Sequence, residues 1–252
     1  MIRRTASRFG LVADVHANLH ALTAVLGALA EEGIEEIWCL GDVVGYGGDP
    51  EECVAIVRER CAGTVRGNHD GAAVEAALRV GFNPHARAAI ERQADILSRD
   101  ALQWLGGLPA VLELEDVMLL HASFVDPGAF PYVLGSRDAA HELAGLPGRW
   151  AFYGHTHVPA LWWMDGEGKV EDRLPPDAAG AAELDRPGVY LVNPGAVGQP
   201  RDGDPRAACA IFDRESGSLR FLRVPYDIAA AQSSILRAGM PRIEAERLER
   251  GL

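Results

Sequence analysis

Apolar positions along the chain recur at two different periods, and the switching between them predicts strands and helices in turn. Phe9-Gly10-Leu11-Val12-Ala13 is a short apolar run of strand length. From Asn18 to about Glu32 the period lengthens. Leu19, Leu22, Leu26 and Leu29 fall on one helical face, and Gly33 stops the helix. Glu36 to Leu40 predicts a second strand. Asp49-Pro50-Glu51-Glu52 predicts a helix start, with a capping carboxylate, a proline at the first helical position and acids at the positive helix end; that helix runs to about Arg60. Thr64 to Arg66 is a third short strand. Strands and helices alternating at this spacing imply parallel strands joined by right-handed crossovers.

The middle of the chain reads as helical, over Pro84 to Leu97 and Arg99 to Leu105. From residue 110 the pattern turns to strands. Val111–Leu114 and Val117–Leu120 form a hairpin turning at Glu115-Asp116. A loop (Ala122 to Gly135) and a short helix (Arg137 to Ala144) follow. Further strands are predicted over Trp150–Tyr153, Ala160–Met164, Lys169–Arg173, Val189–Val192, Ala207–Phe212 and Leu219–Val224. The stretch Pro175 to Pro187 reads as a mobile surface loop, and the tail after Ile228 as a charged helix. No linker or repeat divides the chain, so residues 1–252 are expected to form a single domain with two sheets.

Charge and composition then narrow the partners. With 24 Lys+Arg against 36 Asp+Glu, the net charge is −12. That opposes wrapping extended nucleic acid. At 48% hydrophobic and 24% charged residues the chain reads as an ordinary globular protein. No apolar span reaches the roughly 18 residues of a membrane helix. The apolar run after the basic start is too short for a signal peptide, so a cytoplasmic location is expected. Cys39, Cys53, Cys61 and Cys209 show no CxxC spacing and read as four buried thiols.

Five short polar clusters each follow a predicted strand: Asp14-Val15-His16, Gly41-Asp42, Gly67-Asn68-His69-Asp70, His121 and Gly154-His155-Thr156-His157. In α/β sheets the carboxyl edge of the strands is where sites assemble. Carboxylate and amide oxygens mixed with imidazole nitrogens suit Mn, Fe, Co, Ni or Zn rather than a thiolate site. In Asp14-x-His16 and His155-x-His157, the two side chains of each pair are expected on one side of an extended strand end.

These blocks, in this order, resemble those of the calcineurin-like metallophosphoesterases: D-x-H, G-D, G-N-H-[DE], a later H, and G-H-x-H. Asn193-Pro194-Gly195-Ala196-Val197-Gly198 resembles that family's further N-P-G-S block. The resemblance implies an α/β fold, a four-layer α/β/β/α sandwich of two mixed sheets, with two divalent transition-metal ions between them. It assigns one metal to Asp14, His16 and His157, the other to Asn68, His121 and His155, and Asp42 as a bridge. It further implies in-line attack on phosphorus by a metal-bridging hydroxide. His69 is expected to assist the leaving group as general acid. Asp70 either orients His69 or, the favoured role, caps the helix after the strand.

Other residues carry weaker expectations. Arg201 suits a substrate phosphate. Arg66 either faces phosphate or pairs with a carboxylate, and the pair is favoured. Asn18 caps its helix. Phe130 and Tyr132 either stack a nucleobase or pack under their own loop, with packing favoured, and His20, His85 and His141 belong to helix surfaces. Gly45 stands where the family's Ser/Thr protein phosphatases carry an acid, which argues against that activity and leaves open what orients His69. The block resembles small bacterial and archaeal phosphodiesterases, so the expected substrate is a small phosphodiester or nucleotide. The alternatives are a phosphomonoesterase or protein phosphatase on the same site, and a non-catalytic scaffold. A homodimer is plausible by the same resemblance. Two bound dications would leave the chain acidic but make the pocket locally positive.

Overall fold

The computed structural model describes residues 6–175 and 178–252. Its β-α-β start follows the predicted alternation: β1 (Arg8–Val12), α1 (Leu19–Glu31), β2 (Ile37–Cys39), α2 (Pro50–Arg60) and β3 (Gly63–Thr64). Then come α3 (Asn68–Val74), α4 (Pro84–Ile96) and α5 (Arg99–Gly106), the hairpin β4 (Val111–Leu114) and β5 (Val117–Leu120), α6 (Ser136–Gly145) and β6 (Trp150–Phe152). The remaining elements are β7 (Ala160–Met164), β8 (Val170–Asp172), β9 (Gly180–Glu183), β10 (Val189–Asn193), β11 (Ala207–Asp213), β12 (Ser218–Val224), α7 (Ile228–Arg237) and α8 (Arg242–Glu246).

The strands form two six-stranded mixed sheets, ordered β3-β2-β1-β11-β12-β9 and β4-β5-β6-β10-β7-β8. In the first, β1, β2 and β3 are parallel; in the second, β5, β6 and β10 are parallel. Side-chain alternation builds the layers. Phe9 and Leu11 of β1, with Ala13 just after it, point into a core shared with Leu119, Phe152 and Val192 of the second sheet. Val12 points the other way, into a core with Leu22, Leu26 and Leu29 of α1 and Val54 and Val57 of α2. On the far face of the second sheet, Leu120, Ala151 and Leu191 pack with Ala139 and Leu143 of α6. Helix, sheet, sheet, helix is the four-layer sandwich that the resemblance implied. Among the described residues, no helix is long and apolar enough to cross a membrane.

Three local expectations are corrected. Within 175–187, expected to be a loop, β9 pairs along β12; residues 176 and 177, like residues 1–5 of the basic start, lie outside the described residues. Its sequence Gly-Ala-Ala-Glu carries no strand propensity, so the open edge of β12 imposes the pairing. Asp49 does not cap α2 with its side chain; its carboxylate accepts from Ser234 Oγ at 2.5 Å and ties α7 to the start of α2. All four cysteines are free, but Cys61, at the end of α2, is only half-buried. Asn18 caps α1 as expected, accepting from Ala21 N at 3.1 Å, and its amide also reaches Gly198 O at 2.9 Å.

Candidate metal centre

The carboxyl ends of β1, β2, β3, β5 and β6 meet at one rim, and all five polar clusters arrive there. Three groups of donor atoms lie within 4.8 Å of one another: Asp14 with His16 and His157, Asp42 with His121 and His155, and His16 with Asp42 and His69. Asp14 and Asp42 are at most 1% exposed. Asn68 joins the second group, its Oδ1 lying 3.2 Å from His121 Nε2. Asp42 reaches toward both, 3.6 Å from His16 Nε2 and 3.3 Å from His121 Nε2.

The convergence does not come from extended strand ends. Asp14, His16, Asp42, His155 and His157 all have left-handed backbone, with φ between 47° and 67°. Non-glycine residues adopt that region at a cost of order 1–3 kcal/mol each, and such sites cluster where geometry is functional. His155 and His157 therefore enter different donor groups instead of sharing one side of a strand.

Buried neighbours hold these turns. Asp70 helps cap α3 from the third helical position rather than as the N-cap itself, which is Gly67, and it also folds back on the Asp42 turn. Its carboxylate accepts from Gly67 N (2.9 Å), Asp42 N (2.8 Å), Val43 N (2.9 Å) and Val44 N (3.3 Å). It clamps the Asp42 turn rather than orienting His69. Gly67 is required there, because a Cβ would sit 2.0 Å from Asp42 Oδ1. Gln93 holds the next stretch, accepting from Gly45 N and donating to Gly47 O. Asn193 donates to Gly154 O at 2.6 Å and fixes the His155–His157 turn.

Three imidazoles have a fixed tautomer. Nδ1 of His16 donates to Val44 O (2.9 Å), that of His121 to Leu40 O (2.7 Å) and that of His157 to Gln199 O (2.7 Å). Each ring therefore turns Nε2 toward the centre. Burial drives His16 and His157 well below the ordinary histidine range, so both are neutral. Their two Nε2 lone pairs then face each other at 3.0 Å, a repulsion that a cation bound by both would relieve. His155 Nε2 is buried without a partner, and burial lowers this ring to about 3. Burial pushes Asp14 up to about 7. Burial also opposes charge on Asp42 and His121, but their contact outweighs it. The carboxyl stays below its usual range and the imidazole rises to about 9. This donor set fits a divalent metal ion of the Mn, Fe, Co, Ni or Zn kind.

A cavity of about 460 Å³ opens beside the centre, lined by Tyr46, Asn68, His69, Phe82, Tyr132 and His155 among others. His69 is wedged between aromatic rings, with centroids 4.6 Å from both Tyr46 and Phe82. Its Nδ1 is buried without a partner and faces Gly45, where a Cβ would lie 2.4 Å away. Packing therefore orients His69, in place of the absent acid, and burial lowers it to about 4. Tyr132 stacks on His155 at 4.2 Å and Phe130 lies 5.9 Å from His121, so both loop aromatics pack on candidate ligands.

The remaining predicted residues fall as follows. Arg66 pairs with Glu75 at 2.7 Å, the carboxylate option. His85 and His141 are exposed and His20 half-buried, all away from the centre. Arg201 sits at the rim, its guanidinium 5.5 Å from the Tyr46 ring centre. Sequence reasoning missed Tyr46, Phe82, Gln93 and the clamping role of Asp70. Phe82 follows a 3₁₀ turn (Ala76–Gly81) that no periodicity announces.

A family model described as the calcineurin-like phosphoesterase superfamily domain matches residues 8–217. An uncharacterised protein of Methanocaldococcus jannaschii is 34% identical over 246 residues, 96% of this chain and 97% of that protein. The crystal structure of a metallophosphoesterase from Sphaerobacter thermophilus superposes with a TM-score of 0.86 at 38% identity, covering 98% of this chain and 100% of that one. That of a hypothetical protein from Pyrococcus horikoshii OT3 shares the fold, with a TM-score of 0.76 at 19% identity over 97% and 98% of the two chains. The chain belongs to the calcineurin-like phosphoesterase superfamily.

Proposed function

We propose that the protein is a binuclear-metal phosphoesterase that prefers small phosphodiesters, nucleotide esters among them. Asp14, His16 and His157 would hold one ion, Asn68, His121 and His155 the other, with Asp42 between them. Two dications supply Lewis-acid polarisation of phosphoryl oxygens and a lowered pKa for water. The observation that carries the diester preference is the cavity of about 460 Å³, walled by Tyr46, Phe82, Phe130 and Tyr132, opening directly on Asn68, His69 and His155. A cavity of that size would take the two organic groups of a small phosphodiester, and its rings would face an aromatic one. Gly45, pressed against His69, leaves no room for the acid that protein phosphatases use.

His69 lines that cavity and enters the reaction as a neutral imidazole, since burial holds it at about 4. One ring nitrogen then carries a hydrogen and stabilises the charge developing on the leaving oxygen by a hydrogen bond, keeping its proton. Such a donor contributes roughly 10²–10³-fold. The relative named as a metallophosphoesterase supports metal dependence here.

The test is hydrolysis of bis-p-nitrophenyl phosphate beside p-nitrophenyl phosphate, with added Mn²⁺ and with chelator. Metal-dependent turnover favouring the diester is expected, and His69→Ala should lower it by roughly 10²–10³-fold with unchanged metal content. A monoester rate far above the diester rate overturns the preference. Unchanged turnover in His69→Ala removes that residue from the mechanism.

A further inference from the structure

Arg201 and Arg206 on the loop between β10 and β11, and Arg223 on β12, stand close together and are not treated alike. Arg206 is paired with Asp204, and Arg223 with Asp202. Arg201 has no carboxylate within ion-pair distance among the described residues. Its Nη2 donates to the neutral Gln199 Oε1 at 2.8 Å, its guanidinium faces the Tyr46 ring, and its buried Nε has no partner. A half-buried cation left with neutral partners and an unused N–H is built to receive an anion. Its neighbours belong to the candidate metal site. The backbone of Arg201 donates to His157 O at 3.2 Å, and the Tyr46 ring under its guanidinium packs on His16 at 4.7 Å and His69 at 4.6 Å.

What fixes the guanidinium comes from outside the matched domain, which ends at residue 217. Glu244 on α8 is 1% exposed. Its Oε2 accepts from Gln199 Nε2 at 3.0 Å, and Arg247 approaches it at 3.5 Å. The Gln199 side chain is thus held so that Oε1 faces Arg201, while the backbone oxygen of the same residue accepts from His157 Nδ1. Gln199 joins three things: a candidate metal ligand, the free arginine and the C-terminal helix.

We propose that Arg201 binds a phosphoryl oxygen of the substrate, and that Glu244 is a positioning residue that aims it through Gln199, so that α8 completes the active site. The inference rests on the phosphoester reading, and inorganic phosphate serves as the probe that separates the two.

The experiment is calorimetric titration of phosphate into full-length Mn²⁺-loaded protein, beside diester kinetics and a separate measurement of Mn²⁺ affinity. Arg201→Gln should weaken phosphate binding roughly 10- to 100-fold and raise KM more than it lowers kcat, with Mn²⁺ affinity retained. Arg201→Lys keeps the charge but not the fork, and should fall between. Glu244→Leu should also weaken phosphate, whereas Glu244→Gln, which keeps an acceptor for Gln199, should restore it. Wild-type phosphate affinity in both Arg201 variants, or wild-type protein that binds no phosphate, overturns the inference. Equal losses in Glu244→Leu and Glu244→Gln overturn the positioning role. Arg201-dependent phosphate binding in a protein that fails to hydrolyse diesters would overturn the diesterase reading and leave the anion site standing.

Discussion

Asp70→Asn tests whether this carboxylate acts on the Asp42 turn or on the neighbouring His69. In the native protein four backbone N–H groups converge on it, two on each oxygen, at 2.8–3.3 Å. An asparagine offers one oxygen and one NH₂ in the same space. Whichever way the amide turns, two of the four backbone donors face another donor, in a site with no exposure to water. A hydrogen bond to a charged acceptor contributes about 1.5–3 kcal/mol, so two lost bonds cost about 3–6 kcal/mol before relaxation. That is a large share of a total stability of about 5–15 kcal/mol. Urea unfolding monitored by circular dichroism, with and without Mn²⁺, measures it. The midpoint should fall steeply in chelator, and Mn²⁺ affinity should fall too, because Asp42 sits on the released turn. Asp70→Asn within about 1 kcal/mol of wild type, with normal metal affinity but a turnover loss like that of His69→Ala, would refute the clamp and reinstate Asp70 as a partner of His69.

Other consequences can be checked alongside. Gly45→Ala places a Cβ 2.4 Å from His69 Nδ1 at a φ of 104°, so the ring must move. Diesterase turnover should approach that of His69→Ala, with about 2–4 kcal/mol lost in thermal unfolding, and native-like values for both would contradict the packing account. Glu142, 3% exposed on α6, accepts from Ser123 Oγ, Phe124 N and Val125 N at the root of the loop carrying Phe130 and Tyr132. Glu142→Ala should cost about 2–4 kcal/mol and raise KM for aryl diesters; a KM equal to wild type would detach that loop from binding. In metal-free protein His121 is raised to about 9 by Asp42, against the opposing effect of burial. A raised imidazole stabilises the fold fully below about pH 6.5 and loses that contribution as pH climbs through 9. Chelator-treated protein should therefore melt lower at pH 9.5 than at pH 7, and a melting temperature that rises over this interval would oppose the Asp42–His121 pairing.

Most of the architecture was visible in the chain because its strong elements state their period locally. Leu19, Leu22, Leu26 and Leu29 can bury one face only as a helix, and the apolar runs at 9–13 and 117–120 fit strands packed on both sides. The failures share a cause. Gly180–Glu183 is a strand because β12 has an open edge, and Asp49 leaves its cap because Ser234, far along the chain, offers a partner. Both outcomes are decided by residues distant in sequence, which no local window contains.

The site follows the same division at finer scale. The convergence of the candidate ligands was legible in outline because metal chemistry favours carboxylate, amide and imidazole, and the order of blocks puts these types at successive strand ends. How they converge was not, since the left-handed turns at Asp14, His16, Asp42, His155 and His157 are local departures that propensity disfavours. What stabilises those turns lies elsewhere in the chain: Asp70 beneath Asp42, Asn193 beneath Gly154, Gln199 behind His157. Asp70 and Asn193 belong to recognisable blocks and Gln199 to none, but in no case does the block say which turn the side chain holds, and each is buried with its hydrogen bonds made. The same holds for orientation of the His69 imidazole. An acid partner for His69 would leave a motif, whereas a glycine and two rings brought in from Tyr46 and Phe82 leave only composition. A residue that touches the chemistry can be named from its type, but one that holds another in place becomes visible only when the fold brings the two together.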